Sequence, residues 1–189
     1  MIKIGILGDI GSGKSFISKC FGYPVFNADL EVSKLYQKDK NIFNKLKKVL
    51  PNYFFSFPIN KNQVSKAILS DKNNLRKIVK IIHLEIKKKM NNFLKKNKKR
   101  KIVILDIPLL LENKINTKKD ILIFIQSKRK DTLKRLKKRP NFNQQILNKF
   151  KSIQLPLDYK KRKSDFIIIN NFTKKSVKRD IKIILKKIL

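Results

Sequence analysis

Four of the chain's five glycines fall in its first thirteen residues, in the run Gly5-Ile6-Leu7-Gly8-Asp9-Ile10-Gly11-Ser12-Gly13-Lys14-Ser15. From Gly8 to Ser15 this run satisfies G-x-x-x-x-G-K-[ST], the spacing of a phosphate-binding loop for nucleoside triphosphates. Glycines let the backbone take positive φ and come close to an anion. Backbone N–H groups from Gly11, Ser12, Gly13 and on to Phe16 can then point into one concavity and bind phosphate oxygens. A helix beginning near Gly13 adds its positive N-terminal end. Lys14 supplies a point charge to the β- and γ-phosphates, and the Ser15 hydroxyl is placed to ligate Mg²⁺. One residue fits poorly: the Asp9 carboxylate would repel phosphate if it pointed inward. It is expected to point outward or to bond locally.

The chain has only 13 acidic residues, so their placement is informative. Asp29 follows the short run Val25-Phe26-Asn27-Ala28, and Asp106 ends the apolar run Ile102-Val103-Ile104-Leu105. Open α/β sheets bind ligands outside the carboxyl ends of their strands. If the strands before Gly8, Asp29 and Asp106 are neighbours, Lys14, Asp29 and Asp106 share one cleft. Phosphoryl transfer to a hydroxyl needs a group that takes or orients the hydroxyl proton, and an acid near Mg²⁺. Asp29 suits the first task and Asp106 the second; a helix N-cap and a strand-end turn are the respective structural alternatives. Arg135 and Arg139 are spaced i, i+4 and are expected to share a helix face, suited to phosphate oxygens or simply solvated. His83 is the single histidine, on an apolar helical stripe, where a structural role competes with a substrate contact.

Five strands are expected, at Ile2–Leu7, Pro24–Phe26, Ile102–Leu105, Ile121–Ile125 and Phe166–Ile169. They alternate with helical patterns at about 14–21, 28–37, 42–50, 63–69, 71–97, 128–138, 143–152 and 173–187. That alternation predicts an α/β fold of three layers, α/β/α, around a parallel sheet of about five strands. Between the second and third strands lie about 70 residues of helical periodicity, far more than a minimal crossover needs. They read as a helical insertion suited to a second substrate, and the aromatic run Tyr53-Phe54-Phe55-Ser56-Phe57-Pro58 inside it reads as core or pocket. The stretch from Arg139 to Lys163 is polar, basic and interrupted by Pro140 and Pro156, and reads as a mobile lid. One domain is therefore expected, with a core at about 1–29, 100–138 and 161–189, an insertion at about 30–99 and a lid at about 139–160.

The 189 residues suffice for a sizeable core. No apolar run is long enough to span a membrane, no leader-like segment is evident, and one cysteine, Cys20, suits a reducing cytoplasm. The net charge of +35 is extreme. It admits a nucleic-acid footprint. The lysines are scattered, however, and Lys, Asn, Ile and Phe are all abundant, so drift in composition is the preferred reading. No specific nucleic-acid partner is expected.

These residues resemble the dephospho-CoA kinase family along nearly the whole chain. Gly8–Ser15 looks like the family's T-G-G-I-G-S-G-K-S, with Asp9 in place of a glycine. Asn27-Ala28-Asp29 looks like its D-A-D, with the second acid kept. Asp106-Ile107-Pro108-Leu109-Leu110-Leu111-Glu112 resembles the signature [VD]-x-P-L-L-x-E, the most discriminating segment. His83-Leu84 stands near the usual His-Pro. Lys163-Ser164-Asp165-Phe166-Ile167-Ile168-Ile169-Asn170-Asn171 resembles A-D-x-V-I-x-N near the nucleotide base, and Phe172 replaces an expected glycine. The resemblance implies a P-loop kinase fold and ATP-dependent phosphorylation of the ribose 3′-hydroxyl of dephospho-CoA, giving CoA and ADP. It further implies Asp29 as base, Lys14 and Arg139 as catalytic, Arg135 and Asn170 at ATP, and His83, Pro108 and Leu109 at the acceptor. Ser15 and Asp106 would serve Mg²⁺. A cytoplasmic monomer or small homo-oligomer is expected.

Overall fold

The computed structural model describes residues 1–140 and 142–189. The β-branched runs become strands: β1 (Ile2–Gly8), β2 (Val25–Asn27), β3 (Ile102–Asp106), β4 (Ile121–Gln126) and β5 (Phe166–Ile169). All pair in parallel, in the order β2-β3-β1-β4-β5. Every residue of β3 is buried, as a strand covered on both faces requires, which is why it reads as an unbroken apolar run. β3 lies between β1 and β2, so the expected adjacency of the three strands holds. Among the described residues the helices are α1 (Lys14–Cys20), α2 (Ala28–Lys38), α3 (Lys40–Val49), α4 (Lys61–Ser70), α5 (Lys72–Lys96), α6 (Arg129–Lys137), α7 (Gln144–Ser152), α8 (Leu157–Arg162) and α9 (Lys174–Ile188).

The chain folds as two compact units. The first comprises Met1–Asn27, Leu94–Phe142 and Gln154–Leu189. On one face of its sheet, Ile4, Ile6, Ile104, Ile123, Ile125 and Ile168 pack with Ile17 of α1, Phe21 at its C-cap, and Val177, Ile181 and Ile184 of α9. Each such side chain stabilises the fold by roughly 1.5–3 kcal/mol when fully buried. On the other face Gly5 leaves room for Leu110, whose Cδ2 lies 2.5 Å from where a Cβ would stand. Any side chain at Gly5 would push aside the ends of the Leu110 and Leu122 side chains.

The second unit comprises Ala28–Phe93 and Asn143–Ile153. Local capping sets its helix starts. Asp39 accepts from Ile42 N at 3.0 Å before α3, and Asn60 and Gln63 exchange side-chain to backbone bonds of 2.9 Å before α4. Leu35, Leu46, Phe54 and Ile68 are fully buried in it. Lys149 of α7 donates to the Ile68 carbonyl and, at 3.0 Å, to the Leu69 carbonyl, covering the orphan oxygens at the end of α4.

Two expectations change. Arg135 and Arg139 do not share a helix face: α6 ends at Lys137, and Arg139 stands in the turn beyond, its N–H donating to Leu136 O at 3.0 Å. Pro140 is the cause, because the residue before a proline is driven out of the α region. The stretch expected as one lid is divided. Residues 143–153 belong to the second unit and residues from Gln154 to the first, where α8 forms directly after Pro156. Pro156 stands as the N-cap of α8, ahead of the turn whose N–H groups lack helical partners.

Candidate active site

In the phosphate loop, Gly13 has φ 93 and is the N-cap of α1. Only glycine fits: a Cβ there would also collide with Asn170 Nδ2. Lys14 Nζ donates to Gly8 O at 3.2 Å and Asp9 O at 2.8 Å, so the ammonium lies across the loop. Asp9 bonds locally, as expected: its Oδ1 accepts from Ile10 N at 2.7 Å, and its carbonyl accepts from Ser12 N at 3.2 Å. Ser15 and Phe16, in the first turn of α1, are exposed, with N–H groups beyond helical pairing.

Asn27, which ends β2, joins the two residues expected near metal. Its Nδ2 donates to Asp106 Oδ2 at 2.5 Å and to Ser15 Oγ at 3.3 Å. Asp106 is buried at the end of β3; since its carboxylate can only accept, the Asn27 amino group must face it. The residue read only as a lost acid is therefore the link between Ser15 and Asp106. No acid pattern could reveal this, but its register opposite Asp106 in the β2–β3 pair does. Pro108 and Leu109 follow in the turn after β3, partly exposed.

On the β4 and β5 side, a Cβ on Gly11 would meet Leu136 of α6 at 2.7 Å. Asn170 is buried; its Nδ2 donates to Ser12 O at 2.7 Å and its Oδ1 accepts from Phe172 N at 2.8 Å. Asn170 thus braces the phosphate loop. The Arg135 guanidinium lies over the Phe172 ring, 4.4 Å from its centroid. Arg139 is exposed.

Glu112, the last residue of the Asp106–Glu112 signature, holds α8. Its Oε1 accepts from Leu155 N at 3.0 Å and pairs with Lys160 Nζ at 2.6 Å. Lys160 is 1% exposed in spite of its charge. It lies in the polar, basic stretch read as a lid; its partner is remote in the chain and leaves no local signal.

Within the second unit, Asp29 is exposed in the first turn of α2. It lines a cavity of about 880 Å³ together with Val32, Ser33, Tyr36, Pro58 and Ile59. Burial pushes the Tyr36 phenol above its ordinary pKa, so it stays protonated. The aromatic run divides: Phe54 is core, Phe55 is exposed, and Pro58 lines the cavity. His83 lies on α5, half-buried and outside that lining. Burial first, and then the Lys87 ammonium, hold its pKa below the usual value and favour neutral imidazole.

A family model described as dephospho-CoA kinase matches residues 2–176. A dephospho-CoA kinase of Wolbachia sp. subsp. Brugia malayi is 36% identical over 184 residues, covering 95% of this chain and 94% of the relative. Among solved structures, TT1252 from Thermus thermophilus superposes with a TM-score of 0.79 at 22% identity, covering 100% of this chain and 98% of the other. A dephospho-CoA kinase from Campylobacter jejuni superposes with a TM-score of 0.59 at 20% identity, covering 98% of this chain and 96% of the other. At these identities the structural likenesses speak for the fold.

Proposed function

The chain belongs to the dephospho-CoA kinase family, and from that premise we propose how its own residues divide the transfer of a phosphoryl group from ATP to dephospho-CoA. The amides from Gly11 to Phe16 and the Lys14 ammonium hold the β- and γ-phosphates. Ser15 and Asp106 are the residues that would hold Mg²⁺. They fit the ion: a hydroxyl and a carboxylate are hard oxygen donors, and both are bonded to one Asn27 nitrogen. When bound with ATP, Mg²⁺ neutralises charge on the phosphate oxygens and orients them.

Asp29 orients or accepts the proton of the ribose 3′-hydroxyl, with the cavity along α2 receiving part of the acceptor. Arg139 neutralises the transferring group, Arg135 holds ATP, and Asn170 keeps the loop in its anion-binding shape. His83, Pro108 and Leu109 contact the acceptor. The first unit then serves the donor and the second the acceptor. The free thiol of Cys20 suits a reducing cytoplasm, and among the described residues no helix is long and apolar enough to cross a membrane. We expect a monomer or small homo-oligomer.

The observation that carries this reading is the Asn27 amide, which gathers the Ser15 hydroxyl and the Asp106 carboxylate at the carboxyl ends of adjacent strands. An ADP-release assay with dephospho-CoA, adenosine and deoxyadenosine as alternative acceptors tests it. Turnover is expected with dephospho-CoA alone. Turnover of a nucleoside without turnover of dephospho-CoA would overturn it.

A further inference from the structure

Phe172, in the turn after β5, has φ 63, a left-handed backbone conformation that residues with a Cβ rarely adopt. The turn is held there from both sides. Asn170 Oδ1 accepts from Phe172 N at 2.8 Å, and Asn171 Oδ1 accepts from Thr173 N at 3.1 Å. Asn170 is itself tied to the phosphate loop through Ser12 O. The ring therefore has a fixed place against the loop, with Cε1 3.5 Å from where a Cβ on Gly13 would stand. Over the ring, 4.4 Å from its centroid, lies the guanidinium of Arg135. A glycine would meet the same backbone without strain, so the Phe172 side chain carries a backbone cost.

We propose that Phe172 is a positioning residue for Arg135: its ring is a shelf that holds the guanidinium beside the phosphate loop before ATP arrives. This rests on the reading of Arg135 as a nucleotide-binding residue. Stacking occupies a face of the guanidinium plane and leaves its in-plane N–H donors directed outward, where phosphate oxygens accept them. An exposed arginine on a solvated helix end would otherwise lose its rotamer freedom at the moment of binding. Ordered in advance on the ring, it lowers that cost for ATP. The acceptor takes no part in this contact, so the effect belongs to the donor alone.

Steady-state kinetics and melting of Phe172→Gly, Phe172→Tyr and Arg135→Ala test the assignment. Phe172→Gly should raise the KM for ATP by about fivefold, the scale of one exposed cation–π contact. Its kcat and its KM for dephospho-CoA should stay within about twofold, a margin well below that effect. Its Tm should hold or rise, because backbone strain is relieved. Phe172→Tyr keeps the ring and should restore the ATP KM. Arg135→Ala should raise the ATP KM at least as much, and adding Phe172→Gly to it should cost nothing further. An unchanged ATP KM in Phe172→Gly beside a raised one in Arg135→Ala would overturn the positioning role. So would a lowered Tm with kcat and both KM values moving together, which is the mark of a structural role. An unchanged ATP KM in Arg135→Ala would instead remove Arg135 from the nucleotide site and the shelf with it.

Discussion

Around the phosphate loop, polar side chains are committed to one another and to backbone. Asn170 braces Ser12, Asn27 joins Ser15 to Asp106, and Lys14 spans the Gly8 and Asp9 carbonyls. The cavity of the second unit is made differently. One side of α2 and the turn from Pro58 to Lys61 shape it, and each bond that fixes them has a backbone partner: Ile59 N donates to Tyr36 O at 2.9 Å, and the Asn60–Gln63 capping box ties side chain to backbone. Triphosphate binding needs donors held at fixed angles, because its energy is electrostatic and directional. A larger acceptor needs a shaped wall and one well-placed carboxylate. In the proposed division, donor chemistry rests on short-range polar geometry and acceptor chemistry on helix packing.

Breaking the donor side should show as lost chemistry with the fold intact. Lys14→Ala should lower turnover about 10³-fold, the scale of removing one transition-state charge contact, while urea unfolding stays near the wild-type midpoint. The Glu112–Lys160 pair should behave in the opposite way. Lys160→Ala leaves a carboxylate buried and unpaired, and should cost about 3 kcal/mol in urea unfolding. Replacing both, as Glu112→Leu with Lys160→Met, should recover most of that loss. Recovery failing in the double variant would mean the pair orders α8 for a reason beyond its charge balance.

Asn27→Ala should have a smaller, selective effect. Loss of the link between Ser15 and Asp106 should raise the Mg²⁺ concentration for half-maximal rate about tenfold, typical of groups that orient metal ligands. An unchanged Mg²⁺ dependence would detach Asn27 from the metal. Least of all, His83 should give the second unit a mild pH dependence. Its pKa is lower folded than unfolded, so the unfolded chain binds more protons between the two values. Stability should be complete above about pH 6.5 and fall as pH drops through that value toward the folded one. Comparing Tm near pH 5 and pH 8, His83→Gln should show a smaller acid loss than wild type.

The strands and most helices were legible within a residue or two, because buried β-branched runs and helical stripes are local patterns. The phosphate loop was legible for a stronger reason: Gly13 must be glycine for both its φ and its neighbour Asn170. What the sequence hid depends on distant partners. Lys160 is one more lysine of a basic stretch until Glu112 is placed beside it. Asn27 reads as a lost acid until β2 and β3 are in register. Asn170 was assigned to ATP from resemblance, and its amide is bonded to the loop that holds ATP. The end of α6 before Arg139 is legible through Pro140, which the i, i+4 spacing of Arg135 and Arg139 does not override.

Asp29→Asn, followed by single-turnover transfer from ATP to dephospho-CoA and by separate ATP binding, tests most directly whether the two units divide donor from acceptor. Transfer about 10³-fold slower, with ATP affinity at the wild-type value, is the predicted result. Transfer near the wild-type rate, or a slow rate explained wholly by weakened ATP binding, would contradict it.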